Sequence, residues 1–452
     1  MLLTFRVSNF LSFNKEEEFS MLAGQVKNPV SHVTEVGSGS GSTDVVRAAL
    51  LYGANGSGKS NLIKSIDFAR KVLVKGLKST SMHNQHFRLE KNAEQKPSKF
   101  EFEFKAGEKV YAYGFVLLLN TKKVVEEWFF EVKKTKDKPI FERKVLPDGS
   151  SELTTRPSLK GKDATRFDIY MGDLLDDQLL LTELGEKKGE NFGAFKDAFS
   201  WLENNLMVIW PDSNFSSLPI ILQDEKARKL YCQLLEHFKT GIIDFDFKEI
   251  NVDETLSNFR PEGRAKIEEG IENKGLASAQ IGHKKVLLTK NNSGELRAAK
   301  LMTKHLENTT QEEIIFDFDD ESDGTRRLFD LLSILFGLSI GTTPITYLID
   351  EIDRSLHPEL TRKFIEAFLN SNGQLGSQLI LTTHESSLLD LNLLRRDEIW
   401  FVEKKNDGSS HLYSLEEFKP RFDTEIRKAY LQGRYGAIPF ISDVSQLGWN
   451  QN

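Results

Sequence analysis

The octapeptide Gly53-Ala54-Asn55-Gly56-Ser57-Gly58-Lys59-Ser60 constrains the fold of this chain more than any other stretch. It has the spacing G-x-x-x-x-G-K-[ST] and lies between two segments of opposite periodicity. Before it, Val45 to Tyr52 is a nearly continuous apolar run that reads as a buried strand; after it, Asn61 to Ala69 repeats its apolar positions at helical spacing. Strand, glycine loop and helix in that order build a concave nest of backbone N–H groups at the positive end of a helix, which suits phosphate oxygens. The pattern predicts a nucleotide cradle of Gly53, Asn55, Gly56, Ser57, Gly58 and Asn61, with Lys59 on the β- and γ-phosphates and Ser60 on Mg²⁺. A glycine-rich turn that binds nothing is the alternative, and the flanking strand and helix weigh against it.

The rest of the composition is that of an ordinary soluble protein. At 452 residues the chain has room for two or three folding units, and 39% hydrophobic with 28% charged residues provides both a core and a surface. The net charge of −7 argues against a uniformly basic nucleic-acid surface without excluding a local patch. Cys232 is the only cysteine and can form no internal disulfide, which fits a reducing, cytoplasmic setting. Two segments imitate membrane signals. Arg6 interrupts the apolar N-terminus, which reads as a strand instead, and the 19 uncharged residues from Leu331 to Ile349 are broken by Gly341-Thr342-Thr343-Pro344 into a helix and a strand. No membrane partner is expected.

Along the chain, an opening strand hairpin precedes a Gly/Ser loop at 37–42. After the phosphate-loop helix, three runs alternate with period two, Phe100 to Phe104, Val110 to Leu119 and Val124 to Val132, and predict an antiparallel meander. From about residue 158 to 312 the texture shifts to helical patterns such as Phe192 to Leu206 and Lys226 to Phe238, joined by polar stretches. No heptad is sustained there. The expected class is α/β: a mixed sheet with phosphate-loop helix and antiparallel meander, whose halves 1–157 and 313–452 flank an inserted, mainly helical lobe at 158–312. Trp201 and Trp210 in that lobe read as core or partner contacts.

Chemistry resumes in the last third. Ile314 to Asp319 alternates like a strand, and Ser322-Asp323-Gly324 opens the helix Leu328 to Leu338, a second candidate anion site at a helix N-terminus. Asp317 and Asp319 read as a solvated strand face rather than a metal cluster. The apolar strand Ile345 to Ile349 ends in Asp350-Glu351, which places Asp350 in the Mg²⁺ shell and Glu351 where it would orient or deprotonate a water. Gln378 to Thr383 is another buried strand, and it ends in His384, a candidate γ-phosphate contact with a core histidine as the alternative.

In this order, the motifs resemble an ATP-binding-cassette ATPase of the SMC and RecF branch, and more narrowly the ATPase subunits of prokaryotic anti-phage and abortive-infection systems of the OLD, RloA and AriA kind. The narrower resemblance rests on Tyr52-Gly53-Ala54-Asn55, Ser322 to Leu328, Asp350-Glu351-Ile352-Asp353-Arg354-Ser355-Leu356-His357-Pro358, Leu394 to Trp400 and the tail Gly433 to Phe440. It implies MgATP hydrolysis by Lys59, Ser60, Asp350 and Glu351, sensing of the γ-phosphate by His384, and closure of Ser322 and Gly324 over the ATP of a second copy. Gln85, after the first helix, would be a metal-linked glutamine. The chain departs from the pattern at Asp323, where a transporter has glycine, and at Leu11, where repair relatives often carry a basic residue.

The resemblance further implies a homodimer or higher homo-oligomer that senses infection through a phage protein or DNA and controls a separate effector, a nuclease of the Toprim or RloB kind. After His384 only 68 residues remain, too few for a nuclease domain of usual size beside the strand Ile399 to Val402. The aromatic tail from Tyr430 to Phe440 would either dock a neighbour or pack on its own core. Two other classes compete: an SMC/RecF-like ATPase of DNA repair or chromosome maintenance, and the engine of a transporter, the latter disfavoured by the large insertion and degenerate signature.

Overall fold

The computed structural model describes residues 1–26, 32–37, 42–187, 192–212, 221, 224–274, 276–281, 284–291, 293–341, 343–371, 376–421 and 424–438. The chain forms two compact units, one of Met1–Val208, Thr343–Ile352 and Gly373–Asn452, the other of Ile209–Thr342 and Asp353–Asn372. Each has its own sheet and core.

The first unit holds the two sheets expected of the α/β head. Its core sheet runs in the order Leu206–Ile209, Thr346–Ile349, Gln378–Thr382, Ala48–Tyr52, Ile399–Lys404, Ser410–Ser414. Thr346–Ile349, Gln378–Thr382, Ala48–Tyr52 and Ile399–Lys404 are parallel neighbours, and every residue of the middle pair is buried. Strands covered on both faces read as continuous apolar runs, which is why they stood out in the sequence. The apolar run before the phosphate loop is divided, however. Thr43–Val46 belongs to a hairpin with Val33–Val36, and the chain turns at Arg47 before Ala48–Tyr52.

The second sheet of this unit is the meander, larger than expected: Ser151–Thr155, Lys138–Val145, Lys123–Glu131, Lys109–Leu118, Ser98–Ala106, Leu2–Ser8 and Glu17–Ser20, antiparallel throughout. One face carries the buried aromatics Phe5, Phe100, Phe102, Phe104, Tyr113 and Phe129.

Compactness divides the chain at other places than 157/158 and 312/313. The described residues between 158 and 208 belong to the same unit as the meander. Trp201 stacks on Phe104 at 4.4 Å, a core contact, and the fully buried Glu127 carboxylate accepts from Tyr113 Oη at 2.9 Å and from the N–H groups of Leu180 and Leu181 at 2.9 and 3.0 Å. Arg143, equally buried, donates to Glu127 at 3.2 Å and to the carbonyls of Gln178 and Leu175. Buried beside Glu127, the Tyr113 hydroxyl is held well above its ordinary pKa. An ion pair this deep is tolerated because its lone pairs and protons are satisfied, and losing one partner strands a charge. Glu127→Ala is therefore expected to destabilise the protein by about 3–5 kcal/mol, measured by urea denaturation at pH 7.

The second unit contains both helices and a five-stranded sheet. Asp244–Ile250, Leu296–Leu306, Lys284–Lys290 and Leu276–Ile281 pair in that order, and Glu313–Asp317 pairs with the far half of Leu296–Leu306. The sequence marks only the last of these strands, from Ile314, within a lobe expected to be mainly helical; Val286, Leu288 and Ala298 pack under Ile267 and Ile271, and Lys284 and Lys290 are exposed at the two ends of their strand. The strand before Ser322 stops at Asp317, whose carboxylate pairs with Lys300, and Asp319 lies in a short 3-10 turn rather than on the same strand face. The 19 uncharged residues resolve as expected into the end of the helix Asp323–Ile340 and the strand Thr346–Ile349. Among the described residues, no helix is long and apolar enough to cross a membrane.

The described part of the aromatic tail packs on its own unit. Tyr430 and Tyr435 stack on Phe401 at 5.5 and 5.9 Å, and Tyr413 Oη donates to the Tyr435 carbonyl at 2.7 Å. Of the two expectations for this tail, packing on its own core describes it up to Ile438; Pro439 and Phe440 lie outside the described residues, as does most of the Gly/Ser loop at 37–42.

Candidate functional site

Parallel pairing brings three motifs to one edge of the core sheet. Ile349 is level with Leu381, and Leu381 with Leu50. The chain therefore leaves three adjacent strands on the same side: into Gly53 from Ala48–Tyr52, into Thr383 and His384 from Gln378–Thr382, and into Asp350 and Glu351 from Thr346–Ile349. With strands about 4.8 Å apart, the Asp-Glu pair is two strand spacings, roughly 10 Å, from the strand that feeds the phosphate loop. Ligands of open parallel sheets bind beyond the carboxyl ends of the strands, which is this edge.

The loop's glycines are required for different reasons. Gly58 has φ 116°, and a Cβ there would lie 2.1 Å from Ser410 Oγ and 2.8 Å from Ser12 Oγ. At Gly53 a Cβ would come within 2.3 Å of the Val402 carbonyl oxygen. Gly56, with φ 74°, faces open space, so only its backbone conformation demands glycine. The loop is thus walled in at both ends and open at its apex. Helix Lys59–Lys75 starts directly from it, and the buried Lys59 folds its ammonium over the loop, donating to the carbonyls of Gly53 at 2.7 Å and Ala54 at 3.2 Å. Asn61 donates from Nδ2 to Ser12 Oγ at 2.8 Å.

Asp350 and Glu351 are held by a residue that the motif reading passed over. Thr382 Oγ1 donates to Asp350 Oδ1 at 2.6 Å and accepts the Glu351 N–H at 2.8 Å. Asp350 is buried and Glu351 half-buried, with a left-handed backbone at φ 48°. That conformation costs a residue with a side chain about 1–2 kcal/mol and is sustained here by the Thr382 bond. Nothing in the sequence marks Thr382 beyond its place at the end of a buried strand. His384 is exposed, two residues beyond that strand.

The donor set fits Mg²⁺ and a nucleotide. Ser60 and Asp350 offer hard oxygen ligands, and a cradle of glycine N–H groups with one lysine suits a polyphosphate. Among the described residues no group of three or more His, Cys, Asp or Glu side chains is gathered for a metal. Gln85 is tied to the N-terminal loop through its backbone, its carbonyl accepting the Leu11 N–H at 2.6 Å.

Ser322 and Gly324 belong to the second unit. The exposed Ser322 caps the helix Asp323–Ile340, its Oγ accepting from Thr325 N–H at 3.1 Å. The Ser355 carbonyl passes so close that a Cβ on Gly324 would lie 2.6 Å from it, so the segment after Asp350-Glu351 crosses the first turn of this helix.

A family model described as "AAA domain, putative AbiEii toxin, Type IV TA system" matches residues 48–390, well over half of the chain. The chain belongs to this AAA-domain family. The match begins at the strand feeding the phosphate loop and extends past His384, so all the nucleotide motifs named above fall inside it. It is an ATPase family, and nucleotide binding goes with it. No curated protein matches the sequence. Solved structures that match include an SMC head domain from Thermotoga maritima, at 13% identity over 91% of this chain and 98% of that one with a TM-score of 0.37. An SMC head bound to the C-winged helix domain of ScpA also matches, at 17% identity over 92% and 99% with a TM-score of 0.37.

Proposed function

We propose that this chain binds and hydrolyses MgATP and uses its ATP state to control a separate effector, a nuclease of the Toprim or RloB kind, in a cytoplasmic anti-phage or abortive-infection system. The observation that carries the ATPase reading is the common edge of the core sheet, where Asp350 and Glu351, pinned by Thr382, stand two strands away from the strand that feeds the phosphate loop and on the same side of the sheet. When bound, MgATP supplies the γ-phosphoryl group to be transferred to water. Lys59 and the loop N–H groups would bind the phosphates, Ser60 and Asp350, with Gln85, would hold the metal, Glu351 would orient the water and take its proton, and His384 would contact the γ-phosphate. The defence role draws its support from the family description, which names an AbiEii toxin and a Type IV toxin–antitoxin system.

Ser322 and Gly324 serve the ATP of a second copy in this proposal. A nucleotide buried between two copies binds the closed dimer better than the open one and shifts the population accordingly, so the output is a state rather than a moved cargo. Ser322→Arg is expected to abolish ATP-dependent dimerisation in light scattering and to make the specific activity low at every protein concentration, whereas the wild type gains activity as concentration rises. Concentration-independent wild-type activity would remove the composite site. The effector is tested by co-expression with the neighbouring gene and co-purification in the wild type and in Glu351→Gln. If no neighbour binds in either state and DNA ends alone stimulate hydrolysis, the repair reading replaces the defence reading.

A further inference from the structure

The phosphate loop is braced by a hydrogen-bonded relay drawn from three distant parts of the first unit. Asn61 Nδ2 lies 2.8 Å from Ser12 Oγ, Ser12 Oγ lies 2.7 Å from Ser410 Oγ, and Ser410 Oγ reaches the Ser57 carbonyl. Donor counting orders the chain. The Asn61 amide can only donate and the Ser57 carbonyl can only accept, while each serine has one hydrogen to give. Asn61 therefore donates to Ser12, Ser12 to Ser410, and Ser410 to Ser57. All bonds point one way, the arrangement in which each polarises the next. Both serines are held independently: Ser410 N–H donates to the Ser12 carbonyl at 2.7 Å, and the strand that begins with Ser410 is tied to Glu17 through Leu412 N–H at 2.9 Å.

The relay sets the direction of a peptide plane. In a trans peptide the carbonyl and the following N–H point in opposite directions. Holding the Ser57 carbonyl outward on Ser410 turns the Gly58 N–H inward, toward the concave side of the loop. The same two hydroxyls occupy the space a Gly58 Cβ would need, at 2.1 and 2.8 Å, so the wall that demands glycine and the brace that orients the peptide are one structure.

We propose that Ser12 and Ser410 are positioning residues for nucleotide binding: they touch no phosphate themselves, but preset the Gly58 N–H as an anion donor before ligand arrives. This rests on the MgATP reading of the loop. It places control of the cradle partly in the final strand of the core sheet, whose Tyr413 receives the C-terminal segment.

The test is titration calorimetry of MgADP and MgATP with the wild type, Ser12→Ala, Ser410→Ala and the double variant, alongside kinetics and melting without nucleotide. Removing a preset hydrogen bond to a charged ligand is expected to weaken binding about tenfold. The loss should fall on KM with kcat little changed, and the nucleotide-free melting temperature should stay within about 2 °C of wild type. Because one broken link disorients the whole relay, the double variant should bind no worse than the weaker single, and Ser410→Thr, which keeps the hydroxyl, should recover binding. Wild-type affinity in Ser410→Ala, or losses that multiply in the double variant, overturns the proposal. A wild type that binds neither nucleotide overturns the MgATP reading itself and the relay's role with it.

Discussion

Glu351→Gln is expected to lower MgATP turnover by about three orders of magnitude while leaving nucleotide bound, the behaviour of a site that has lost its base but kept its cradle. The amide keeps the size of the carboxylate, and the Glu351 backbone N–H still reaches Thr382, so Asp350 stays in place. Lys59→Ala is the counterpart. It removes a buried ammonium that lies across the phosphate loop and is expected to weaken MgATP binding by at least about 100-fold, the consequence of losing a charged partner from a desolvated site. Filter retention of radiolabelled ATP separates the two: Glu351→Gln holds nucleotide and Lys59→Ala does not. Equal retention by both would contradict the roles assigned to them.

Gly58→Ala is expected to weaken nucleotide binding by about 100-fold, while Gly56→Ala costs about fivefold, although both change one glycine of the same loop. At Gly56 the added methyl meets nothing within 4 Å, and the expected loss is only the strain of φ 74° on a residue with a side chain, about 1 kcal/mol. At Gly58 the methyl lands 2.1 Å from Ser410 Oγ, so either Ser410 leaves the Ser57 carbonyl or the loop shifts bodily. Titration calorimetry on the two variants decides the matter, and equal losses would show that backbone strain alone, rather than the serine wall, shapes the cradle. A stronger effect at Gly56 would locate the sensitive contact at the open apex instead.

These contrasts separate what can be read along the chain from what cannot. The phosphate loop was legible because its requirements are local: glycines at fixed intervals, an apolar strand before and a helical period after. Asp350-Glu351 and His384 were legible for a related reason, since strands buried on both faces are continuous apolar runs and a polar residue at their ends stands out. The strand Asp244–Ile250 was missed because the exposed Asp246, Lys248 and Glu249 mask its short alternation, and Lys284–Lys290 because one of its lysines, Lys285, is buried against Asp330, a pairing that only the fold supplies.

By itself, then, the sequence determined which polar residues stand at the ends of the buried strands and where the glycine loop lies between strand and helix. Only the tertiary structure decided what holds those groups in place. Thr382 meets Glu351 from 31 residues away and Ser410 meets Ser57 from 353. A hydroxyl at such a distance leaves no periodic trace, because its role depends on which strands the sheet makes neighbours. The aromatic tail makes the same point. Tyr430 and Tyr435 have the composition of a docking segment, and it is the face offered by Phe401 and Tyr413 in their own unit that buries them. Burial of apolar rings is non-directional, so composition tells that they will be covered and only the packed sheet tells by what.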